Sequence, residues 1–208
     1  MIAAWPMLLS GLWVTVLLCL AVIPLGLVGG LLAALGSNAQ SRWVRWLVMS
    51  LVDLFRSIPP LVLLIFIYAG LPFAGVRISP FAAVVIAFFL NNSAYYGEVF
   101  RAGIQSVGLG QSEAARSTGL TASQTFAHVV LPQAVRNVLP DLLSNTIEVV
   151  KLTSLASVVS LGEMLHSADM ARSVTYNASP IILAGLVYLI LLWPFVRLVS
   201  RLGRSLAT

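Results

Sequence analysis

From Met7 to Leu35 the chain runs without one charged side chain. About 20 apolar residues are enough to cross a hydrocarbon core of roughly 30 Å. In that medium every backbone amide must be satisfied from within, which leaves helices or closed barrels. The apolar residues here are continuous and do not alternate at period two, so the run is read as a helix. Its length exceeds the about 7–15 residues of a signal-peptide core, and no basic segment precedes it, so it is expected to be retained. The remaining chain repeats the pattern. It is 59% hydrophobic and 9% charged, against about a quarter charged in an ordinary soluble domain. The expected fold class is all-α, a polytopic membrane helical bundle.

Apolar length places spans at about 7–35, 47–70, 80–100, 139–161 and 180–199, about five transmembrane helices in one domain over 1–208. The first basic residues, Arg42 and Arg45, follow the first run, which sets the N-terminus outside and the C-terminus in the cytoplasm. Arg101, Arg116, Arg136, Arg197, Arg201 and Arg204 then fall inside with them. Only Arg77 and Arg172 fall outside, while Arg56 and Lys151 lie within spans. This is a positive-inside distribution. The scattered bases form no patch with interleaved aromatics, so the formal charge of +5 does not point to nucleic acid. A lone bundle of five helices with polar faces favours a two-fold dimer.

No phosphate-binding Gly-rich loop, paired histidine or Ser elbow is present, so no catalytic set and no cofactor are expected in this chain. His128 and His166 are isolated. Cys19 has no cysteine partner and reads as a small buried or lipid-facing side chain.

The chemistry sits in two kinds of segment. The first is intramembrane. Asn91, Tyr95 and Glu98 in "NNSAYYGEVF" recur at i, i+4 and i+7 and share a helix face. Asn145, Glu148, Lys151, Thr153 and Ser154 form a second stripe in the fourth span, where an ionised group costs roughly 2.5–3.5 kcal/mol on insertion scales. Glu148 and Lys151, three residues apart, offset part of that cost. If the two stripes face each other they make a midplane site with donors, acceptors and an aromatic wall, suited to a small zwitterion. The alternatives are structural contacts between helices, and for Glu98 an ion pair with Arg101. Pro59 and Pro60 in "FRSIPPLVLL" break the second span, and Arg56 is spaced to pair with Asp53.

The second segment is the connection from about Arg101 to Leu139. Ser112 is placed to cap a helix starting at Glu113, and Gly119 suits a left-handed helix end. Thr121 with Gln124 makes a capping box for a second short helix, limited by Pro132 and Pro140. The expectation is a structured cytoplasmic helical hairpin. "GLPFAGVRISP" and "HSADMARSVTYNASP" read as outer loops, the second with room for a helical turn.

These motifs carry a resemblance. "GQSEAARSTGL" followed by "VVLPQAVRNVLP" is similar to the EAA signature of permease subunits of ATP-binding-cassette importers, at Glu113, Ala114, Ala115, Gly119, Leu131 and Pro132. "FRSIPPLV", "AYYGEVFRAGIQSVGLGQSEAA" and "VVKLTSLASVVSLGEM" extend it to the polar amino acid and opine subgroup of these MetI-like permeases, over nearly the whole chain. The sequence departs from that pattern at Leu152, where many relatives carry Asp.

The resemblance implies a type I importer permease of the inner membrane. It further implies a coupling helix at the EAA segment, with Glu113 and Arg116 as polar anchors. It implies a cytoplasmic ATPase dimer that binds the ATP and Mg, and an external solute-binding protein. A second permease copy or a related chain, and a polar amino acid or opine-like solute, complete the set. Without the resemblance, an ion-coupled carrier or channel relaying through Glu148 and Glu98 is the other reading.

Overall fold

The structure, a computed structural model, describes residues 5–206. Nine α-helices follow one another in that stretch, with no strand among the described residues. They are α1 (Trp5–Ser37), α2 (Arg42–Ser57), α3 (Pro60–Ile65), α4 (Pro80–Ser106), α5 (Leu109–Ser117), α6 (Ala122–Thr125), α7 (Leu131–Leu152), α8 (Met164–Thr175) and α9 (Ser179–Leu206).

α1 is apolar all round, yet it buries one narrow stripe: Leu8, Gly11, Thr15, Leu18, Val22, Gly26, Gly30 and Ala34. Small residues select that face, because between apolar helices in lipid the gain comes from close backbone packing. A Cβ on Gly30 would lie 2.5 Å from the Cβ of Tyr96 and 2.8 Å from the amide nitrogen of Gly97 on α4. The same device joins α4 to α7, where a Cβ on Gly103 would meet Val138 at 2.3 Å. The core fills this α1–α4–α7 seam with Leu18, Val22, Leu64, Val84, Phe88, Tyr96 and Val149. A smaller cluster of Leu8, Met164, Ala168 and Ala184 ties α8 and α9 to the start of α1.

Three helical stretches are long and apolar enough to cross a membrane, Trp5–Ser37, Ala122–Val159 and Ser179–Arg204. A fourth is the pair Arg42–Ser57 and Pro60–Ala74, bent by 100°. α4 is 27 residues long, but its polar middle from Asn91 to Gly97 lowers its hydropathy.

The stretch Ala122–Val159 corrects the sequence reading. Pro132 and Pro140 do not limit a short second helix; the helical path continues from Ala122 to Val159. A π-turn over Phe126–Val130 precedes Pro132, and the Leu131 amide reaches back to the Phe126 carbonyl. Widening the helix there makes room for a ring that cannot donate. Pro140 is carried inside α7. The segment expected as an outer loop from His166 also holds more than a turn, since α8, Met164–Thr175, is a helix of 12 residues.

Candidate functional site

The hairpin lies at the end of the bundle where α4 stops. α5 starts at Leu109 behind Gly108, four residues before the expected start at Glu113, and Ser112 is inside it and caps nothing. Gly108 takes the N-cap place at φ −59° and ψ 140°, so the helix begins a turn early. Its other end is as expected. The Gly119 amide donates to the Arg116 carbonyl at 3.0 Å with Gly119 at φ 91°, a conformation glycine adopts without a steric cost. The capping box also forms: the Gln124 amide donates to Thr121 Oγ1 at 3.3 Å, and the Thr121 amide donates to Gln124 Oε1 at 2.9 Å.

Only Ala115 of α5 is buried, whereas Glu113, Ala114, Arg116 and Gly119 are exposed. Leu109 is 80% exposed. Between the hairpin and the end of α4 runs a groove of about 690 Å³ lined in part by Gln105, Leu109, Ser112, Arg116 and Phe126. Leu131 and Pro132 stand apart from α5, at the entry of α7, on the surface.

The intramembrane site begins at the break in the second span. In a helix each carbonyl accepts from the amide four residues on. For Phe55 and Arg56 those positions are Pro59 and Pro60, which have no amide hydrogen. α4 supplies what is missing. Asn91 Nδ2 donates to the Phe55 carbonyl at 2.9 Å, and the Tyr95 hydroxyl donates to the Arg56 carbonyl at 3.4 Å.

Asn91 and Tyr95 also line a cavity of about 240 Å³ with Pro60, Asn92, Asn145, Glu148 and Leu152. The two stripes therefore meet, but only in part. Glu98 lies farther along α4. It pairs with Arg101, whose Nε donates at 2.9 Å, and with Arg56 at 3.8 Å. A second, smaller cavity of about 80 Å³ is lined by Asp53, Arg56, Glu98 and Arg101 among others. The expected Asp53–Arg56 pair is replaced, because the break lays Arg56 against α4. Its guanidinium carbon is 5.6 Å from the Tyr95 ring centre, and its Nε is buried without a hydrogen-bond partner.

The stripe of the fourth span divides after Glu148. Asn145, Glu148 and Leu152 share one face of α7, and Lys151 lies beside that face on the same α-helix. Beyond Leu152 the chain tightens into a 3₁₀ segment, Thr153–Val159, whose three residues per turn rotate the following side chains off it. Asn145 and Glu148 face the cavity with α4. Lys151 and Ser154 line another groove, of about 570 Å³, with Leu165, Tyr188 and Trp193. Lys151 Nζ still reaches back to pair with Glu148. Thr153 is fully buried, its hydroxyl donating to the Val150 carbonyl at 2.7 Å.

Three residues were not singled out by the sequence reading. Asn92 is buried and donates to the Phe88 carbonyl at 2.8 Å. Tyr96 is fully buried, with its hydroxyl 2.8 Å from Thr146 Oγ1. Because Thr146 itself donates to the Leu142 carbonyl, Tyr96 is the donor. Glu163, fully buried, caps α8 by accepting from the Leu165 and His166 amides, each at 2.8 Å. Burial pushes its carboxyl above the usual carboxylate range, and the two amides oppose that shift. Glutamate is not a common N-cap, so only its place in "SLGEM" could have drawn attention to it.

The family model described as "Binding-protein-dependent transport system inner membrane component" matches residues 26–208. The chain belongs to this family. The arginine transport system permease protein ArtQ of Bacillus subtilis is 34% identical over 188 residues, covering 89% of this chain and 86% of ArtQ. The probable glutamine ABC transporter permease protein GlnM of the same organism is 35% identical over 201 residues, covering 96% and 93%. The crystal structure of an amino acid ABC transporter with histidines is 35% identical. It superposes with a TM-score of 0.92 over 99% of this chain and 96% of that one. An inward-facing MetNI methionine ABC transporter, 21% identical, shares the fold with a TM-score of 0.77 over 96% of each chain.

This permease is therefore the membrane subunit of an ATP-binding-cassette importer, a multi-pass protein of the inner membrane. It is not an enzyme. ATP is hydrolysed by a separate ATPase subunit. Family membership sets aside the ion-coupled carrier and the channel. Among the described residues, no group of three His, Cys, Asp or Glu side chains is placed to hold a metal ion.

Proposed function

We propose that this permease carries a polar amino acid or opine-like solute along the face between α4 and α7. In this reading five spans, with the N-terminus outside, place the hairpin in the cytoplasm within one domain over 1–208. The observation that carries the path is the cavity where Asn91, Tyr95, Asn145 and Glu148 converge. It offers the Asn145 amide, the Glu148 carboxylate and the Tyr95 ring within a volume of about 240 Å³, a scale that suits a small zwitterion. The carboxylate favours a cationic or zwitterionic solute. Glu98 and Lys151, Thr153 and Ser154 act from beside the path, through the contacts described above. An external solute-binding protein delivers the solute, and the second permease is another copy or a related chain.

The EAA helix α5 is assigned the docking role toward a cytoplasmic ATPase dimer, which binds the ATP and Mg. Support comes from its exposure on nearly every side and from its small Ala114 and Gly119, beside which Glu113 and Arg116 offer charged anchors. Leu131 and Pro132 transmit the movement, since they begin the stretch that runs on to Glu148. Alternating access then follows from two permeases rocking as the ATPase closes. The test is reconstitution with ATPase and binding protein. Glu113→Arg with Gly119→Trp is expected to abolish solute-stimulated ATP hydrolysis, and unchanged stimulation would sink the docking assignment.

A further inference from the structure

The two prolines of the second span and two side chains of α4 form a matched set. Pro59 and Pro60 withdraw the donors of the Phe55 and Arg56 carbonyls. Asn91 and Tyr95, one turn apart on α4, donate to those same two carbonyls at 2.9 Å and 3.4 Å. A carbonyl left unpaired in a membrane is costly, so the break and its two outside donors stand or fall together. The α2–α3 pair is bent by 100° at this point. On the far side of the break, Pro60 joins Asn91 and Tyr95 in the wall of the cavity. On the near side, Arg56 reaches the Tyr95 ring and Glu98.

We propose that Asn91 and Tyr95 are positioning residues that hold the Pro59–Pro60 break as a hinge, linking the angle of the second span to the wall of the solute cavity. Their donors are directed at the α2 main chain, and the cavity receives mainly their remaining surfaces. Asn91 is the fixed point, 1% exposed. Tyr95, at 38% exposure and with the longer bond, is the side of the clasp that opens. A moving hinge sets how often the assembly changes conformation, so loosening it alters turnover more than solute affinity.

The transport arm of the test rests on the reading that solute passes this cavity; the stability arm does not. In the reconstituted importer, Tyr95→Phe removes the donor and keeps the ring. Maximal uptake is expected to fall about fivefold with KM within about twofold, and the solute moved per ATP to fall with it. A KM raised about fivefold at unchanged maximal rate would mean that the hydroxyl contacts solute, and would overturn the proposal. An unaltered maximal rate would overturn it as well.

The second arm is a thermal double-mutant cycle on the solubilised permease–ATPase complex. Pro59→Ala with Pro60→Ala restores two amide hydrogens and lets α2 satisfy its own carbonyls. In that background the loss of Tm caused by Tyr95→Phe is expected to shrink to less than about half. Equal losses in both backgrounds would defeat the proposal even if transport is altered. Should the double-alanine complex not assemble, the kinetic arm decides; should no solute be taken up, the thermal cycle decides. A shrunken Tm loss beside uptake that is insensitive to the cavity residues would keep the hinge and discard the path.

Discussion

Glu98–Arg101 and Glu148–Lys151 are the same arrangement in sequence, a carboxylate followed three residues later by a base. Their surroundings differ. Side chains of the first pair are 29% and 28% exposed, and Arg56 of α2 adds a third charge. Those of the second are 60% and 49% exposed, with Glu148 on the cavity wall and Lys151 on the groove beyond it. The first pair fastens α2 to α4 and is sheltered, so it contributes to holding the bundle together. The second is open, and an open pair stabilises little, about 0–1 kcal/mol. Spacing along a helix forecasts that a pair forms, while its work depends on what the neighbouring helix brings.

The largest effect that separates the two is expected from Glu98→Gln. It leaves the guanidinium groups of Arg56 and Arg101 half-buried without their carboxylate, at a cost of about 1–3 kcal/mol. In thermal unfolding of the solubilised complex that is a fall of about 2–4 °C for each kcal/mol. A Tm unchanged within about one degree would erase the difference between the pairs. Glu148→Gln is expected to do the reverse, with Tm lowered by no more than about four degrees and maximal uptake of a cationic solute lowered about tenfold, ~1.4 kcal/mol. Uptake of neutral solutes should fall less. Equal loss for both classes would remove the charge preference, and a large Tm loss would make Glu148 another fastening residue.

Much of this was legible in the sequence, for reasons that particular residues make plain. Gly119 and the Thr121–Gln124 box were readable because a left-handed end and a reciprocal cap depend on local chemistry alone. Pro59–Pro60 announced a break for the same reason. Ser112 misled, because a good capping residue sits one turn inside a helix that already runs from Leu109. Pro132 misled because proline normally ends a helix, and the π-turn that accommodates it leaves no mark in composition. Arg56 was assigned to Asp53, its neighbour in sequence, since nothing local reveals that a break swings it onto α4. The polar stripe from Asn145 to Ser154 reads as one face because nothing local shows that α9 brings a separate groove to Lys151 and Ser154, and the change to three residues per turn after Leu152 is likewise a tertiary outcome. Local rules carried the hairpin; the intramembrane site needed the packing of α2, α4 and α7.

The smallest expected effect tests how independent Glu148 is of its companion. Lys151 pairs with Glu148 but faces the groove shared with Tyr188 and Trp193. Lys151→Gln therefore takes away a positive charge near the cavity without taking away cavity wall. An exposed pair of this kind is worth about 0.2–1 kcal/mol, so Tm should move by no more than about four degrees. Removing the ammonium leaves the Glu148 carboxylate less compensated, and electrostatic complementarity then acts on selectivity more than on total affinity. The ratio of cationic to neutral solute uptake in competition assays is expected to rise about two- to fivefold. A falling ratio would place Lys151 on the solute's own carboxylate, and an unmoved ratio would mean that Glu148 does not present its charge to solute at all. In the second case the two pairs would differ in exposure alone, and the open one would have no part in choosing what is carried.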